Sequence, residues 1–218
     1  CTSLIVNKLL DNAQARWAVV GAFGDNFDQP ATELGQCIGL DAASLGQMQQ
    51  LGICLNYNGY GFELDDLLFH PVDLFGLVHP YADPLDFIEN EKGYADLLTQ
   101  YEDDMARART FAADSESTSG AIYLLPNEGW TRRIVGVMGN DLAKQFPDRA
   151  HALLVDMGDG HHRVSVRAPY NRKDGADELC RQFPSGGGRK AAAGINALAQ
   201  DSVANFIDRF NLQFGEVA

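Results

Sequence analysis

The stretch SGGGRKAAAG, residues 185–194, constrains both the fold and the chemistry of this chain more than any other stretch. Three consecutive glycines are costly in conformational entropy, so a structural or functional reason is expected for them. A glycine-rich backbone exposes N–H groups that can bind an anion, and Arg189 and Lys190 would add positive charge. The competing interpretation is a flexible loop between a helix and a strand. Neither the Walker pattern nor the G-x-G-x-x-G pattern occurs here.

The strand RVSVRA, predicted at residues 163–168, lies just upstream of this stretch. Side chains alternate along a strand, so Arg163, Ser165 and Arg167 share one face. Two guanidinium groups and a hydroxyl on one face could bind a phosphate, and an exposed basic face of an antiparallel sheet is the alternative. The neighbouring pair His161-His162 would point to opposite faces, which favours a structural role over a metal pair.

The second half of the chain alternates between strand and helix patterns. We predict strands at 121–126, 133–138, 152–157 and 191–196, with a turn at Gly158-Asp159-Gly160. Helical spacing of apolar residues is found at 140–146, 176–183 and 203–210. This alternation predicts an α/β domain with a mixed sheet.

The first half is predicted to be mostly helical, with helices at 2–13, 32–55 and 87–112. One exception is expected: the continuous apolar run Trp17–Ala22 suits a strand that is buried on both faces. Asp25 would then follow the carboxyl end of a strand, where a carboxylate can bind a divalent cation. A helix-capping or turn role is the alternative for Asp25, and Asp28 is a weaker candidate ligand.

The composition limits the classes of partner. The formal charge of the 218 residues is −13, so any phosphate-bearing partner needs a local basic site or metal ions. Apolar runs long enough for a membrane helix are absent from the sequence, and its four cysteines are scattered. We therefore expect a cytoplasmic chain that does not bind membranes.

Several of these motifs together resemble a known family. The R-V-S-x-R strand, a short helix, a glycine motif and a final helix are similar, over about residues 120–212, to the substrate-binding domain of the DHH phosphoesterases. That family includes RecJ-type exonucleases, oligoribonucleases that also act on pAp, and exopolyphosphatase-related proteins. WAVVGAFGD, residues 17–25, resembles a segment of the catalytic domain that ends in a metal-binding aspartate, here Asp25.

The resemblance implies a domain organisation and a function. Residues 1–113 would be the C-terminal part of a parallel-sheet catalytic domain, 114–120 a linker, and 121–218 the substrate-binding domain. The intact enzyme would use two Mn²⁺ or Mg²⁺ ions to hydrolyse a small phosphorylated substrate or a short oligonucleotide. Substrate contacts would come from Ser165, Arg167, Ser185, Gly186, Gly187, Gly188 and Arg189.

The chain departs from the family in two respects. The Asp-x-Asp and Asp-His-His segments of the metal site are not in the sequence, and residue 1 is Cys. We therefore expect that the front of the catalytic domain is missing, that the catalytic residues are incomplete, and that this chain alone is inactive. Arg189 also replaces the usual histidine of the glycine motif, so it can supply charge and donors but no acid–base function. A non-catalytic nucleotide- or nucleic-acid-binding module is the alternative function, and homodimerisation is left open.

Overall fold

The computed structural model describes residues 1–215, and the chain forms two compact units, Cys1–Asp103 and Asp104–Ala218. The first unit is helical. Its elements are α1 Thr2–Leu9, α2 Ala15–Gly24, α3 Asp28–Cys37, α4 Ala42–Tyr57, α5 Pro71–Val78, α6 Pro84–Asn90 and most of α7 Lys92–Ala108. Over residues 1–215, no helix combines the length and the apolar character needed to cross a membrane.

Helix α2 supplies much of the core of the first unit. Its buried side chains include Ala18, Val19, Val20, Ala22 and Phe23. A Cβ atom added to Gly52 of α4 would lie 2.3 Å from the carbonyl oxygen of Val20, so the two helix backbones are in close contact. A helix that is enclosed in this way can be apolar on nearly all sides.

The strand predicted at Trp17–Ala22 is therefore wrong. A continuous apolar run does not by itself distinguish a buried strand from a buried helix, and here the residues form α2. Asp25 consequently follows the end of a helix rather than the end of a strand.

The second unit is built on a six-stranded mixed sheet with the strand order β1-β2-β3-β4-β6-β5. β2 and β3 are parallel, and the other neighbouring strands are antiparallel. The strands are β1 Ser115–Glu116, β2 Gly120–Leu125, β3 Ala150–Asp156, β4 His161–Arg167, β5 Gly186–Arg189 and β6 Ala192–Ala199. The helices are α8 Gly129–Gln145, α9 Ala176–Cys180 and α10 Val203–Phe214. The α/β fold class with a mixed sheet is confirmed.

Helices cover both faces of this sheet. On one face, Val164, Val166 and Ile195 pack into an apolar cluster with Leu179 of α9 and residues of α10. On the other face lies α8, since a Cβ atom on its Gly139 would be 3.4 Å from Arg167 and 3.5 Å from Leu153. Successive residues of β4 therefore point alternately to the apolar cluster and to the α8 face.

Several element predictions for this unit are confirmed and others are wrong. The strands at 121–126, 152–157 and 163–168 correspond to β2, β3 and β4. The strand predicted at 133–138 lies inside α8, where Ile134, Val135, Val137 and Met138 are buried helical residues. The flexible loop, which was the competing interpretation of the glycine stretch, is also wrong, because Gly186–Arg189 form β5.

The stretch predicted as a linker, 114–120, contains ordered structure. Ser115 and Glu116 form β1 and pair with Ile122 and Ala121 of β2. The two compact units divide at Asp103–Asp104, within α7.

Candidate phosphate-binding face

The side chains of β4 alternate as the sequence predicts. Val164 and Val166 are buried, whereas Arg163, Ser165 and Arg167 are half-buried on the α8 face of the sheet. His162 is buried on the opposite face from His161, whose side chain is 44% exposed. The two histidines therefore cannot act together at one site on this strand.

Arg167 is held in place by groups from α8 and from its own strand. Its Nε atom donates to Asn140 Oδ1 at 2.8 Å, and Nη1 donates to Ser165 Oγ at 2.8 Å. Nη2 donates to the carbonyl oxygen of Gly136 at 3.3 Å. Because its donors are largely used within the protein, Arg167 supplies a fixed positive charge and orients the Ser165 hydroxyl.

The hairpin of β5 and β6 extends this face. Gly194 pairs with both Ser165 and Gly187, so these three residues form one row across the sheet. Ala192 pairs with both Arg167 and Arg189, so these form the next row. Directly opposite residues point to the same face. The structure therefore places Arg167 and Arg189 on one face, with only small residues between them.

The two arginines are separated by the width of two strand spacings. They lie two strands apart, which corresponds to about 10 Å between their Cα atoms. A Cβ atom added to Gly187 would meet no heavy atom within 4 Å. A Cβ atom added to Gly194, in the middle of the row, would lie 2.6 Å from the carbonyl oxygen of Val164, so the open space lies at Gly187, beside Arg189.

Arg189 differs from its neighbour Lys190 in its availability. Arg189 is exposed, and within residues 1–215 its side chain has no hydrogen bond or ion pair. Lys190 instead lies 3.2 Å from the Asp174 carboxylate, whose hydrogen bond and negative charge raise the pKa of Lys190. Arg189 is therefore the cation that can bind an anion without first breaking a contact.

The other predicted contact residues have structural roles in the hairpin. A Cβ atom on Gly186 would lie 1.8 Å from the carbonyl oxygen of Cys180, so this glycine allows α9 to pack against β5. Gly188 has a φ of +142°, a backbone conformation that residues with a side chain rarely adopt. The Ser185 hydroxyl accepts a hydrogen bond from the N–H of Ala197 at 3.0 Å. Of the predicted contact residues, Ser165, Arg167, Gly187 and Arg189 share the α8 face.

Asn140 and Gly136 were missed by sequence reasoning. Both lie on α8, in a segment whose first part was predicted as a strand, and an isolated Asn in an apolar pattern carries no signal of its own. Only the contact with Arg167 identifies them as part of the site.

His151 of β3 lies directly opposite Arg167 and is fully buried. Its two ring nitrogens have no hydrogen-bond partner among the residues that the structure describes. Burial, and to a smaller extent the charge of Arg149, lowers the pKa of His151 to about 4. His151 is therefore neutral at physiological pH and adds no charge to the face.

The predicted metal ligand Asp25 lies apart from any acidic cluster. It is exposed and follows the C-terminal end of α2. The described part of the chain contains no group of three or more His, Cys, Asp or Glu side chains that could hold a metal ion. The residues present therefore do not fit a two-metal centre.

The charges are divided unevenly between the two units. Cys1–Asp103 contains three Lys and Arg residues against 16 Asp and Glu residues, which accounts for the entire net charge of −13. Asp104–Ala218 contains 14 of each type and is formally neutral. The face that carries Arg167 and Arg189 thus lies on the unit that has no net negative charge.

Comparison with known proteins identifies the second unit. Residues 118–216 match the DHHA1 domain model. No curated protein sequence matches the chain significantly. The domain match confirms the DHH-associated domain to which the motifs at 120–212 were assigned by resemblance.

Solved structures with a similar fold share little sequence with this chain. The pGpG-specific phosphodiesterase PggH from Vibrio cholerae is 12% identical with a TM-score of 0.51, covering 76% of this chain and 57% of that one. A DHH domain from a member of a ribosomal-protein family is 14% identical with a TM-score of 0.52, covering 89% and 48%. RecJ from Thermus thermophilus, in complex with Mg²⁺, is 16% identical with a TM-score of 0.47, covering 91% and 33%. The chain thus spans about half the length of the first two proteins.

Proposed function

The chain carries a DHHA1 domain, and from this premise we propose that its second unit binds a phosphate group of a nucleotide or short oligonucleotide for a DHH-type phosphoesterase. The observation that carries the proposal is the pairing of Arg167 and Arg189 with Ala192, because directly opposite residues share one face of the sheet. Arg167 provides a fixed charge, and Arg189 provides exposed donors. Ser165, held by Arg167 at 2.8 Å, adds a hydroxyl to the same face.

Arginine at position 189 favours binding over proton transfer. A guanidinium group remains protonated and can donate two parallel hydrogen bonds to phosphate oxygens. It cannot act as a general acid at neutral pH. In this proposal Arg189 positions the substrate, and any proton transfer to the leaving group belongs to another residue.

Hydrolysis itself is proposed for the whole enzyme and not for this chain alone. A divalent metal, Mn²⁺ or Mg²⁺, would supply the activated water there. Asp25 is exposed at a helix end and does not form such a centre with its neighbours, so no metal-dependent step is assigned to these residues. We expect the purified 218-residue chain to show no turnover of pAp or short oligonucleotides with Mn²⁺. Measurable metal-dependent turnover would contradict this expectation.

Calorimetric titration with a 5′-phosphorylated dinucleotide tests the binding proposal. Replacing Arg189 with Ala removes a charge-assisted contact worth about 1.5–3 kcal/mol, which is a loss of affinity of about 10- to 150-fold. Arg107→Ala is the matched control, because Arg107 is an exposed cation of the same unit on α7. Equal affinities for the wild type and Arg189→Ala would show that Arg189 does not contact the ligand.

A non-catalytic nucleotide-binding module would use the same basic face. Both functions predict that Arg189→Ala weakens ligand binding, but they differ in turnover. If an upstream catalytic segment is joined to this chain, phosphoester hydrolysis that is abolished by Arg189→Ala favours the enzyme. Ligand binding without turnover favours the module.

A further inference from the structure

We propose that the second unit binds a small zwitterion with an apolar side chain, of the chemical class of a free apolar amino acid, in a pocket beside α8. The pocket has a volume of about 140 Å³ and lies between the end of α7, strand β2 and helix α8. The residues that line it do not include Ser165, Arg167, Gly187 or Arg189. The inference therefore goes beyond the proposed function and does not depend on it.

The floor of the pocket is apolar and buried. Met105, Ala108 and Met138 line it with exposures of 3%, 2% and 5%. Methionine side chains are unbranched and flexible, so they adjust to the shape of an apolar group. An apolar cavity of about 150 Å³ holds a molecule of the size of benzene. The pocket therefore has room for a benzyl or an isobutyl group.

Two opposite charges line the pocket on different walls. Arg109 follows the end of α7 and is exposed, and its side chain makes no hydrogen bond or ion pair within residues 1–215. Asp141 of α8 is half-buried and accepts a hydrogen bond from Gln145 at 2.9 Å. Over the same range Asp141 has no ion pair, so neither charge is neutralised by the other. A ligand with both a carboxylate and an ammonium group would pair with both residues.

Tyr123 of β2 adds a polar group without a partner. It lines the pocket and is only 7% exposed. Among the residues that the structure describes, none forms a hydrogen bond with its hydroxyl group. Since buried polar groups of folded proteins nearly always have a hydrogen-bond partner, this hydroxyl favours a ligand with a polar end over a purely apolar ligand.

The walls of the pocket are held in place by contacts within the second unit. The carboxylate of Asp104 on α7 pairs with Arg133 of α8 at 2.8 and 3.2 Å, which joins the two helices. Beyond α7, the N–H of Phe111 donates to the carbonyl oxygen of Ala108 at 3.1 Å. The centre of the Phe111 ring lies 5.4 Å from that of Trp130. Because the walls are ordered before binding, little conformational entropy would be lost when a ligand enters.

The test is a titration of the 218-residue chain labelled with ¹³C in its methionine methyl groups, followed by NMR. L-Phenylalanine should shift the signals of Met105 and Met138 with saturation. The signals of Met48 and Met157 should stay unchanged, because these two methionines do not line the pocket. Two ligands are matched controls: 3-phenylpropionate lacks the ammonium group, and phenethylamine lacks the carboxylate. Each should bind about tenfold more weakly than L-phenylalanine, because one charge-assisted contact is lost.

Two variants assign each charge to one end of the ligand. Arg109→Gln should lower the affinity for L-phenylalanine about tenfold and leave the affinity for phenethylamine unchanged. Asp141→Asn should lower the affinity for L-phenylalanine by a similar factor and should not weaken 3-phenylpropionate. Arg107→Gln is the matched control, because Arg107 is an exposed cation in the last turn of α7 that does not line the pocket.

Three outcomes would overturn the inference. The first is the absence of a saturable shift at Met105 and Met138 with L-phenylalanine. The second is equal affinity for the three ligands, since the two charges would then not contribute to recognition. The third is an equal loss of affinity in Arg107→Gln and Arg109→Gln, which would show a general effect of charge. All three would leave the phosphate-binding proposal for Arg189 intact, because that proposal is tested with a different ligand and a different variant.

Discussion

Alanine at position 186 tests whether the glycine stretch is a packed strand. A Cβ atom at Gly186 would lie 1.8 Å from the carbonyl oxygen of Cys180 and 2.6 Å from its carbonyl carbon. Both atoms belong to the backbone of α9, so no side-chain rotation can relieve the contact. Gly187 provides the matched control, since a Cβ atom there would meet nothing within 4 Å.

The structure sets the size of the effect. Cβ atoms do not approach backbone atoms closer than about 3 Å, so β5 and α9 must separate by more than 1 Å in Gly186→Ala. Overpacking costs about 1–3 kcal/mol, and a clash between two backbones belongs at the upper end. For a domain of this size, about 3 kcal/mol lowers the unfolding midpoint by about 10 °C. Gly187→Ala should change the unfolding midpoint by no more than about 3 °C, because the added methyl group has room in the folded state. Alanine also lowers the conformational entropy of the unfolded chain relative to glycine, which favours folding.

Thermal unfolding of both variants, followed by circular dichroism, gives the comparison. The reasoning requires Gly186→Ala to unfold well below Gly187→Ala. Equal midpoints for the two variants would mean that α9 does not pack against this strand and that the stretch behaves as a loop. A large loss in Gly187→Ala would refute the open face between Arg167 and Arg189.

Three further predictions concern buried groups. The pKa of His151 is lowered to about 4, so the folded state binds a proton less readily than the unfolded state. The resulting loss in the free energy of unfolding is negligible at pH 7.5 and reaches about 2 kcal/mol at pH 5. His151→Leu should therefore lose less stability to urea between pH 7.5 and 5 than the wild type. The buried Asp104 carboxylate pairs with Arg133 at 2.8 and 3.2 Å. Arg133→Met should cost about 3–5 kcal/mol in urea unfolding, and adding Asp104→Leu should recover much of it; no recovery would mean that the two residues act independently. Burial raises the pKa of Cys180 to about 12. Iodoacetamide at pH 8 should therefore alkylate the exposed Cys37 before Cys180, as followed by mass spectrometry. Equal alkylation rates of the two cysteines would contradict the burial of Cys180.

The errors in the sequence predictions have a common physical cause. Trp17–Ala22 and residues 133–138 are apolar runs that lack a clear period, and both belong to helices. A helix loses its amphipathic period when protein surrounds most of it, because few positions remain that need to be polar. Half-buried strands keep their alternation, which is why RVSVRA was predicted correctly.

The site was predictable in residue type but not in arrangement. The period of two placed Ser165 and Arg167 on one face from sequence alone. Placing Arg189 on the same face requires the register of β6 with both β4 and β5. That register depends on pairing between residues that are distant in the sequence. Asn140 could not be predicted, since its contact with Arg167 depends on how α8 packs on the sheet.

The glycine stretch forms strand β5, so the flexible-loop interpretation is wrong, whereas anion binding by this stretch stays a prediction. As the outer strand of the sheet, β5 pairs with β6 on one side only. The N–H of its Gly186 donates to the carbonyl oxygen of Phe183 at 3.1 Å. Gly186 lets α9 approach, whereas Gly187 leaves the opposite face open. The pairing of β5 with β6 also places Arg189 on the same face of the sheet as Arg167. The anion binding that we propose for Arg189 therefore requires the correct hairpin register, because a one-residue slip would turn Arg189 to the α9 side.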